Sequence, residues 1–294
     1  MTYSYELAVA DKMYSSWSLR GWLLFEAFAI PYKQHTARMY TDGFHEMLSA
    51  FQPARLVPAM KFDGHVVTDS LAMAETLAEQ NPSLNMWPAD PAARALARSL
   101  SAEMHSGFGS LRTDCTMNLR HSYPDYQPSP DVLADVERIT KLWTLCRETY
   151  GANGPWLFGE YSIADVFYAP VATRLATYNL PQNGVVADYV AAHLAEPSFR
   201  RWRAMAFAQN FVQPGYDLDL TPAAWTGPTP LAAKPVENGP AENAICPYSD
   251  KPVLTHFLEL EGRIFGFCNA FCRDKTVADA EAWEKFMAIY EIAA

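Results

Sequence analysis

The sequence predicts a chain in three parts: an α/β domain, an all-helical domain and a small α+β module. Strand and helix patterns alternate over about the first 80 residues, whereas only helical spacing recurs from residue 89 to about 211. Strand-like runs return in about the last 50 residues. At roughly 150 residues per domain, a length of 294 residues accommodates two domains and a remainder.

The first domain, residues 1–81, begins with a predicted strand at YELAV. The apolar run LRGWLLFEAFAI that follows is too long for a strand and predicts a helix, which Pro31 ends. YKQHTARM predicts a second strand, and after a polar loop AMKFDG and HVVTD predict a hairpin that turns at Asp63-Gly64. Ser70 opens the amphipathic helix SLAMAETLAEQ, so the predicted order is β-α-β-loop-β-β-α.

Residues 89–211 predict an all-helical domain, because three long segments have apolar residues at helical spacing. These are ARALARSLSAEMHSGFGSLRTDC, DVLADVERITKLWTLCRETYG and SIADVFYAPVATRLATYN. Residues 212–243 carry six prolines and three glycines without an apolar period, which predicts an extended linker. The last module, residues 244–294, holds CPYSDKPV, the strand-like runs FLELEG and RIFGFC, and a closing helix through ADAEAWEKFMAIYE.

Composition argues against two classes of partner. The chain has 23 Lys+Arg against 33 Asp+Glu, and its basic cluster is the short run RRWR at 200–203, so we expect no nucleic-acid surface. The start MTYSYELAVADKMYSS lacks a signal-peptide pattern, and no apolar run approaches the roughly 18 residues of a membrane helix. Five cysteines, an odd number, do not suggest a secreted disulfide framework. We therefore expect a cytoplasmic protein with no membrane partner.

Three polar features of the first domain fall where they could form one site. Ser15 and Ser16 lie between the first strand and the first helix, where backbone N–H groups and the helix dipole favour anions. Pro58 precedes a strand, and a cis bond before it would leave the N–H and C=O of Val57 free to pair with an extended peptide. Asp69-Ser70 opens a helix and could hold an amino and a carboxylate group together. Taken singly, each feature is also an ordinary cap or loop proline.

Together, YSSWSLRGWLLFEAFAI, the Val-Pro before AMKFDG, and DSLAMAETLAE strongly resemble the thioredoxin-like N-terminal domain of glutathione S-transferases, especially their serine-type, zeta-like bacterial members. The segment Ser162-Ile163-Ala164-Asp165 resembles the buried N-capping box of the sixth helix in that family. The resemblance covers about residues 5–211 and implies a thioredoxin-like domain followed by the family's all-helical domain. It also implies a homodimer.

The resemblance assigns roles in binding the co-substrate glutathione. Ser15 matches the residue whose hydroxyl donates to the glutathione sulfur, and Ser16 is an adjacent candidate. Val57, held by Pro58, would pair with the cysteinyl backbone, while Asp69-Ser70 would hold the γ-glutamyl end. Arg55 falls near the expected place of the glycine carboxylate, in a loop that varies between family members.

The pocket for a second substrate is expected against the helical domain. There, five residues recur at helical spacing: Met104, His105, Phe108, Leu111 and Arg112. Core packing is the alternative interpretation for the apolar ones. His105 and Arg112 are better placed to meet an acidic or polarised substrate, with Phe108 beside them, and Arg174 is a further, weaker candidate.

The family resemblance leaves several reactions open. We expect a transferase that adds the glutathione thiolate, with serine assistance, to a small electrophile. The alternatives are a cis-trans isomerase similar to maleylacetoacetate isomerase, peroxide reduction, and a non-catalytic glutathione-binding or regulatory protein. Against isomerisation, Trp17 stands where zeta enzymes show Cys, and Arg174 follows Pro170 one turn earlier than the expected substrate arginine. Thiol-disulfide exchange is excluded because it needs a Cys where Ser15 and Ser16 stand.

The last module carries a second constellation, C-x21-C-x3-C, formed by Cys246, Cys268 and Cys272. The final pair is one helical turn apart, so both sulfurs can share a helix face. The stretch CPYSDKPVLTHFLELEGRIFGFCNAFC resembles the small TRASH/YHS-like metal-binding modules, which implies a metal ion, with zinc the default. The fourth ligand is open, His256 being one candidate. Three buried thiols in a small core are the alternative interpretation.

Overall fold

The computed structural model of the chain describes residues 4–216 and 218–292. It divides into two compact units. The first runs to Leu194 and includes Gln213–Thr226, whereas the second comprises Ala195–Val212 and the chain from Gly227 onward. In the described part of the chain, no helix has the length and apolar character needed to cross a bilayer.

The first unit begins with a four-stranded sheet in the order β2-β1-β3-β4, in which β1 is parallel to β2 and the other pairs are antiparallel. Its strands are β1 (Tyr5–Val9), β2 (Tyr32–Thr36), β3 (Ala59–Phe62) and β4 (His65–Val67). The three helices are α1 (Ser16–Glu26), α2 (Asp42–Ser49) and α3 (Ser70–Gln80). The predicted β-α-β-loop-β-β-α order is therefore present, and the loop contains α2.

Local chemistry accounts for the β3–β4 turn and for the start of α3. Asp63 and Gly64 have φ values of 45° and 83°, which suit the tight turn between β3 and β4. Asp69 caps α3 by accepting from the backbone N–H groups of Leu71 and Ala72. The helix α2 lies in the segment that the sequence analysis interpreted as a polar loop. Its apolar residues Phe44, Met47 and Leu48 are at helical spacing, so the sequence does carry a short helical pattern there.

Five helices complete the first unit, as the all-helical prediction requires. They are α4 (Pro91–Ser106), α5 (Gly109–Asp114), α6 (Pro130–Tyr150), α7 (Ile163–Thr177) and α8 (Gly184–Ala195). Every residue of α7 is buried, and both α1 and α4 pack against it. The segment predicted as one helical stretch breaks between α4 and α5, because Phe108 adopts a left-handed φ of 54° after Gly107.

The second unit is built from α9 (Pro197–Gln209), β5 (Ala233–Val236), β6 (His256–Leu260), β7 (Arg263–Phe267), α10 (Ala270–Ala278) and α11 (Glu284–Ile292). Its sheet is antiparallel in the order β5-β6-β7, and α9 packs against α10. The turn Glu261-Gly262, with both φ values positive, joins β6 to β7 as the two strand-like runs predict.

The division between the units differs from the predicted boundaries at 211, 243 and 244. The helix α9, expected in the all-helical domain, contributes Ala204 to the core of the second unit, and Arg200 forms two hydrogen bonds of 2.8 and 2.7 Å to Asp279. The predicted linker contains β5, which belongs to the second unit, and also residues Gln213–Thr226, which belong to the first unit. About 50 residues bury too little apolar surface alone, so the added helix and strand complete the core.

Candidate active site and cysteine cluster

A cavity of about 720 Å³ opens in the first unit beside the N-termini of α1 and α3. Its polar lining residues are Ser15, Ser16, Thr68, Asp69, Ser70, Arg112, Thr113, Thr116 and Arg174. Its aromatic lining residues are Tyr14, Trp17, Tyr40, Phe44 and Tyr216. Val57 and Pro58 also line it, so all three predicted polar features of the first domain meet at one cavity.

The two serines at the start of α1 differ in what their hydroxyls already bond. Ser15 caps the helix, accepting from the Ser18 N–H at 3.2 Å and donating to Ser18 Oγ at 2.8 Å. Ser16 Oγ accepts from Nη2 of Arg174 at 3.4 Å. The proton of Ser15 therefore has an internal acceptor, whereas that of Ser16 is available to a group in the cavity.

Backbone and hydroxyl groups without partners face the same cavity. The Val57–Pro58 bond is cis. Among the described residues, the N–H and C=O of Val57 make no hydrogen bond, and the buried Oγ of Ser70 has no partner. Because such groups are costly to leave unpaired, the cavity is suited to an extended, peptide-like ligand. Arg55 is exposed and is not among the lining residues.

The predicted second-substrate residues separate in the structure. Arg112 lines the cavity, whereas His105 and Phe108 do not. His105 Nε2 instead lies 3.1 Å from Oδ2 of Asp69, and burial lowers the pKa of His105, so its neutral ring donates this hydrogen bond at pH 7. His105 thus orients Asp69, and Phe108 is a buried residue at the break between α4 and α5.

The ring of Trp17 contacts two arginine side chains beside the cavity. The guanidinium carbons of Arg20 and Arg112 lie 4.5 and 5.1 Å from its ring centroid, distances at which cation–π attraction is effective. Arg20 is buried, and its Nε and Nη1 have no hydrogen-bond partner among the described residues. Burial lowers the pKa of Arg20 to about 9, so it remains a cation at pH 7.

Arg174, the weaker candidate of the sequence analysis, is central to the geometry. It is buried on α7, donating through Nε to the Cys115 carbonyl at 2.7 Å and through Nη1 to the Pro170 carbonyl at 2.9 Å. These bonds hold its third nitrogen toward Ser16. Burial lowers the pKa of Arg174 to about 10, which leaves a fixed positive charge at the serine.

Tyr216 is a cavity residue that the sequence analysis missed. Its ring centroid lies 5.3 Å from that of Tyr14, and its hydroxyl is 3.5 Å from the Tyr40 hydroxyl. Burial and the contact with Tyr40 raise the pKa of Tyr216 to about 12, so the phenol stays protonated. It lies in the segment predicted as linker, where Tyr216 and Trp225 are isolated aromatic residues among prolines and give no signal of a site.

The predicted capping box at the start of α7 is present. The fully buried carboxylate of Asp165 accepts from the Ser162 N–H and Oγ at 2.8 Å, from the Leu157 N–H at 3.1 Å and from the Tyr189 hydroxyl at 2.7 Å. Burial raises the pKa of Asp165. The box fixes the start of the helix that carries Arg174.

The three predicted cysteine ligands form a cluster in the second unit. Cys246, Cys268 and Cys272 are buried, and their sulfurs all lie within 4.8 Å of one another. Thiolates bound to one zinc ion at about 2.3 Å lie about 3.8 Å apart, so a small contraction would let all three bind it. His256 is outside this group, which in the described part of the chain contains no fourth Cys, His or carboxylate.

The environments of the sulfurs act in opposite directions, since burial raises the pKa of the Cys272 thiol to about 12. Although burial opposes it, the backbone N–H groups of Cys268 and Tyr248 lower the pKa of the Cys246 thiol. Ser249 Oγ and Asn269 Nδ2 lie 3.1 and 3.2 Å from the sulfur of Cys268. The donor set therefore fits a soft or borderline cation. The likeness to TRASH/YHS-like modules rests on this cluster.

Comparison with known proteins bears on the first unit. A family model described as "Glutathione S-transferase, N-terminal domain" matches residues 14–80. A "Probable maleylacetoacetate isomerase" from Caenorhabditis elegans is 35% identical over 201 residues, which cover 62% of this chain and 92% of that protein. The "Maleylacetoacetate isomerase" of Mus musculus is 34% identical over 100 residues, covering 33% of this chain and 45% of the mouse protein. The chain thus spans slightly less than half of the mouse relative.

Solved structures share the fold at lower identity. A glutathione transferase homolog from Burkholderia, crystallised with bound glutathione, superposes with a TM-score of 0.52 at 22% identity, covering 69% of this chain and 97% of that one. Glutathione transferase Omega 2S from Trametes versicolor gives a TM-score of 0.54 at 19% identity, covering 71% and 97%. These likenesses confirm the predicted fold class, a thioredoxin-like domain followed by a helical domain.

Proposed function

The chain belongs to the glutathione S-transferase family, and on that premise we propose that it binds glutathione and isomerises a small, unsaturated keto acid of the maleylacetoacetate type. The observation that carries the proposal is the pair of cations, Arg112 and Arg174, facing one cavity with the unpaired groups of Val57 and Ser70. The relatives support isomerisation over simple conjugation, which the sequence analysis placed first. The early position of Arg174 on α7 is no objection, because the side chain still lines the cavity.

The unpaired groups divide the cavity into a glutathione half and a substrate half. Val57 offers an N–H and a C=O to the peptide backbone of glutathione, as an added strand would use them. Ser70 Oγ and Asp69 offer a donor and an acceptor to the γ-glutamyl end. Arg112 and Arg174 then remain for the carboxylates and carbonyl of the second substrate.

Bound glutathione would supply a thiolate that adds reversibly to a conjugated double bond and so permits its rotation. Ser16 would donate its hydroxyl hydrogen to the sulfur, because Arg174 already occupies a lone pair of that oxygen. Arg174 also lowers the cost of the sulfur's negative charge electrostatically. Tyr216, a protonated phenol in the cavity wall, is placed to donate to a substrate oxygen that gains negative charge.

The test is glutathione-dependent isomerisation of maleylacetoacetate by the full chain and its serine variants. We expect turnover by the native protein and a loss of roughly 10- to 100-fold in kcat/KM for Ser16→Ala, because one donor to the developing thiolate is removed. Ser15→Ala should lose turnover as well, and it should also destabilise α1 by about 1 kcal/mol as a lost cap.

The outcomes separate the candidate functions. Unchanged turnover in the double variant Ser15→Ala, Ser16→Ala would remove both serines from the mechanism. Conjugation of a generic electrophile without isomerisation would return the function to the transferase first expected. If calorimetry detects no binding at millimolar glutathione, both the isomerase and the transferase functions are contradicted.

Replacing Tyr216 with Phe should lower kcat by about tenfold while leaving the affinity for glutathione unchanged. The variant removes only the phenolic oxygen and keeps the ring against Tyr14. Tyr40→Phe is the matched control, since Tyr40 is 73% exposed and carries the neighbouring hydroxyl. If the two variants have equal kcat, the Tyr216 hydroxyl does not act on the substrate.

In the second unit, we propose one bound metal ion, zinc by default, held by Cys246, Cys268 and Cys272. The mutual proximity of the three sulfurs supports this assignment. All five cysteines are free thiols, which suits the reducing cytoplasm proposed as the site of action. A homodimer is proposed from the family alone, and light scattering at micromolar concentration measures it.

A further inference from the structure

The order of the strands arranges the glutathione-binding groups along one edge of the first sheet. In the order β2-β1-β3-β4, the ends of β2, β1 and β4 and the start of β3 all lie at this edge. Ser70 follows β4, Val57 precedes β3, and Met39 and Tyr40 follow β2. Because neighbouring strands are about 4.8 Å apart, Val57 lies between Ser70 on one side and Met39 and Tyr40 on the other.

This arrangement determines where the third residue of glutathione extends. With the γ-glutamyl group at Ser70 and the cysteinyl backbone paired with Val57, the glycyl residue extends toward β1 and β2. We call the side chains that line this side of the cavity the glycyl wall: Met39, Tyr40, Phe44 and Leu56. Met39 and Phe44 pack with Val57 in one apolar cluster, so the wall adjoins the position of the cysteinyl residue.

The cations of the cavity lie elsewhere. Among the described residues that line it, the cations are Arg112 and Arg174. Arg174 donates to Ser16, and Arg112 lies against Trp17, so both are beside the first turn of α1. That is where the sulfur of glutathione is expected, one residue away from its glycyl carboxylate.

The glycyl wall is bonded to a carboxylate. Asp11 Oδ2 accepts from the backbone N–H of Met39 at 3.1 Å. Burial raises the pKa of Asp11 to about 6, against the charges of Arg38 and Lys12, so the group is largely ionised at pH 7. Arg38, Lys12 and the exposed Arg55 are not among the lining residues. A carboxylate at the glycyl wall therefore meets no cation in the described lining of that side.

We propose that the glycyl wall binds the C-terminal part of the thiol co-substrate as a neutral group. The protein then accepts γ-glutamylcysteinyl thiols whose C-terminal carboxylate is esterified or amidated as readily as it accepts glutathione. The inference rests on the proposed glutathione-binding function. An anion placed against an apolar wall loses water without gaining a partner, whereas a neutral group loses less and buries apolar surface.

The experiment measures the binding of four thiols to the full chain by calorimetry. They are glutathione, its glycyl ethyl ester, its glycyl amide, and cysteinylglycine, which lacks the γ-glutamyl group. The test variant is Leu56→Lys, because Leu56 is 73% exposed and a lysine there adds a cation to the wall without disturbing the core. Leu254→Lys is the matched control, since Leu254 is 60% exposed and belongs to the second unit.

The ester and the amide should bind the native chain within about threefold of glutathione, a difference of less than 1 kcal/mol. Cysteinylglycine should bind about tenfold more weakly or worse, because it offers nothing to Asp69 and Ser70. Leu56→Lys should raise the preference for glutathione over the ester by about three- to fivefold, as one new, partly exposed ion pair allows. Leu254→Lys should keep the native preference.

Three results would overturn the inference. The first is native glutathione binding about tenfold tighter than both derivatives, the effect of a charged hydrogen bond to the carboxylate. The second is a loss of glutathione affinity in Arg55→Gln that the ester does not share, which would make Arg55 the carboxylate ligand. The third is an unchanged preference in Leu56→Lys, or cysteinylglycine binding as tightly as glutathione, since the glycyl end would then lie elsewhere. If none of the four thiols binds, the proposed glutathione site itself is wrong.

Discussion

Replacing Asp165 with Ala is expected to destabilise the first unit by about 3–5 kcal/mol. The carboxylate is fully buried and accepts four hydrogen bonds, from the N–H and Oγ of Ser162, the N–H of Leu157 and the hydroxyl of Tyr189. Alanine would leave these donors buried without an acceptor. Because α7 begins at this box, the amides of that helix should lose protection from hydrogen exchange.

Asp90→Ala is the matched control for this experiment. Asp90 also caps a helix, accepting from the Ala93 N–H at 2.8 Å, but it is exposed, so water can replace it. Its loss should cost about 1 kcal/mol. Urea denaturation measures the free energy of unfolding of both variants, and hydrogen exchange is followed on peptides from α7. If Asp165→Ala lowers the free energy of unfolding no more than Asp90→Ala does, the role assigned to the buried box is wrong.

The double variant Cys268→Ser, Cys272→Ser is expected to lose the bound metal altogether. The native chain should carry about one ion, and the variant less than a tenth of one, because a hydroxyl is a far weaker zinc ligand than a thiolate. Metal binding contributes directly to the folding of so small a unit, so the variant should also unfold more readily there. Glutathione binding in the first unit should persist.

Elemental analysis of protein purified without chelator checks the stoichiometry. Cys115→Ser is the control, since Cys115 is an equally buried thiol of the first unit, and it should keep the metal. A native protein without zinc, copper or iron above trace would favour three buried thiols. Ready reaction of all three cysteines with a thiol reagent under native conditions would exclude both interpretations.

The sequence was sufficient to predict those features that depend on residues close to one another along the chain. The turn at Asp63-Gly64, the cap at Asp69 and the box at 162–165 are local hydrogen-bond patterns with recognisable residue types. The Cys-x3-Cys spacing places two sulfurs one turn apart, and the hairpin before it returns the chain to Cys246. These signals predicted the thioredoxin-like domain, the positions of the paired serines and the cysteine cluster.

Only the tertiary structure decided which distant side chains share the cavity. His105, at the same helical spacing as Arg112, bonds Asp69 instead of lining the cavity, and Arg174 reaches Ser16 across 158 residues. Tyr216 enters from a segment with no periodic pattern. Likewise α9 has helical spacing suited to either unit, and its partner α10 lies far along the chain. Periodicity states that a helix face is apolar, but the element that covers that face is chosen by long-range packing, which no local pattern records.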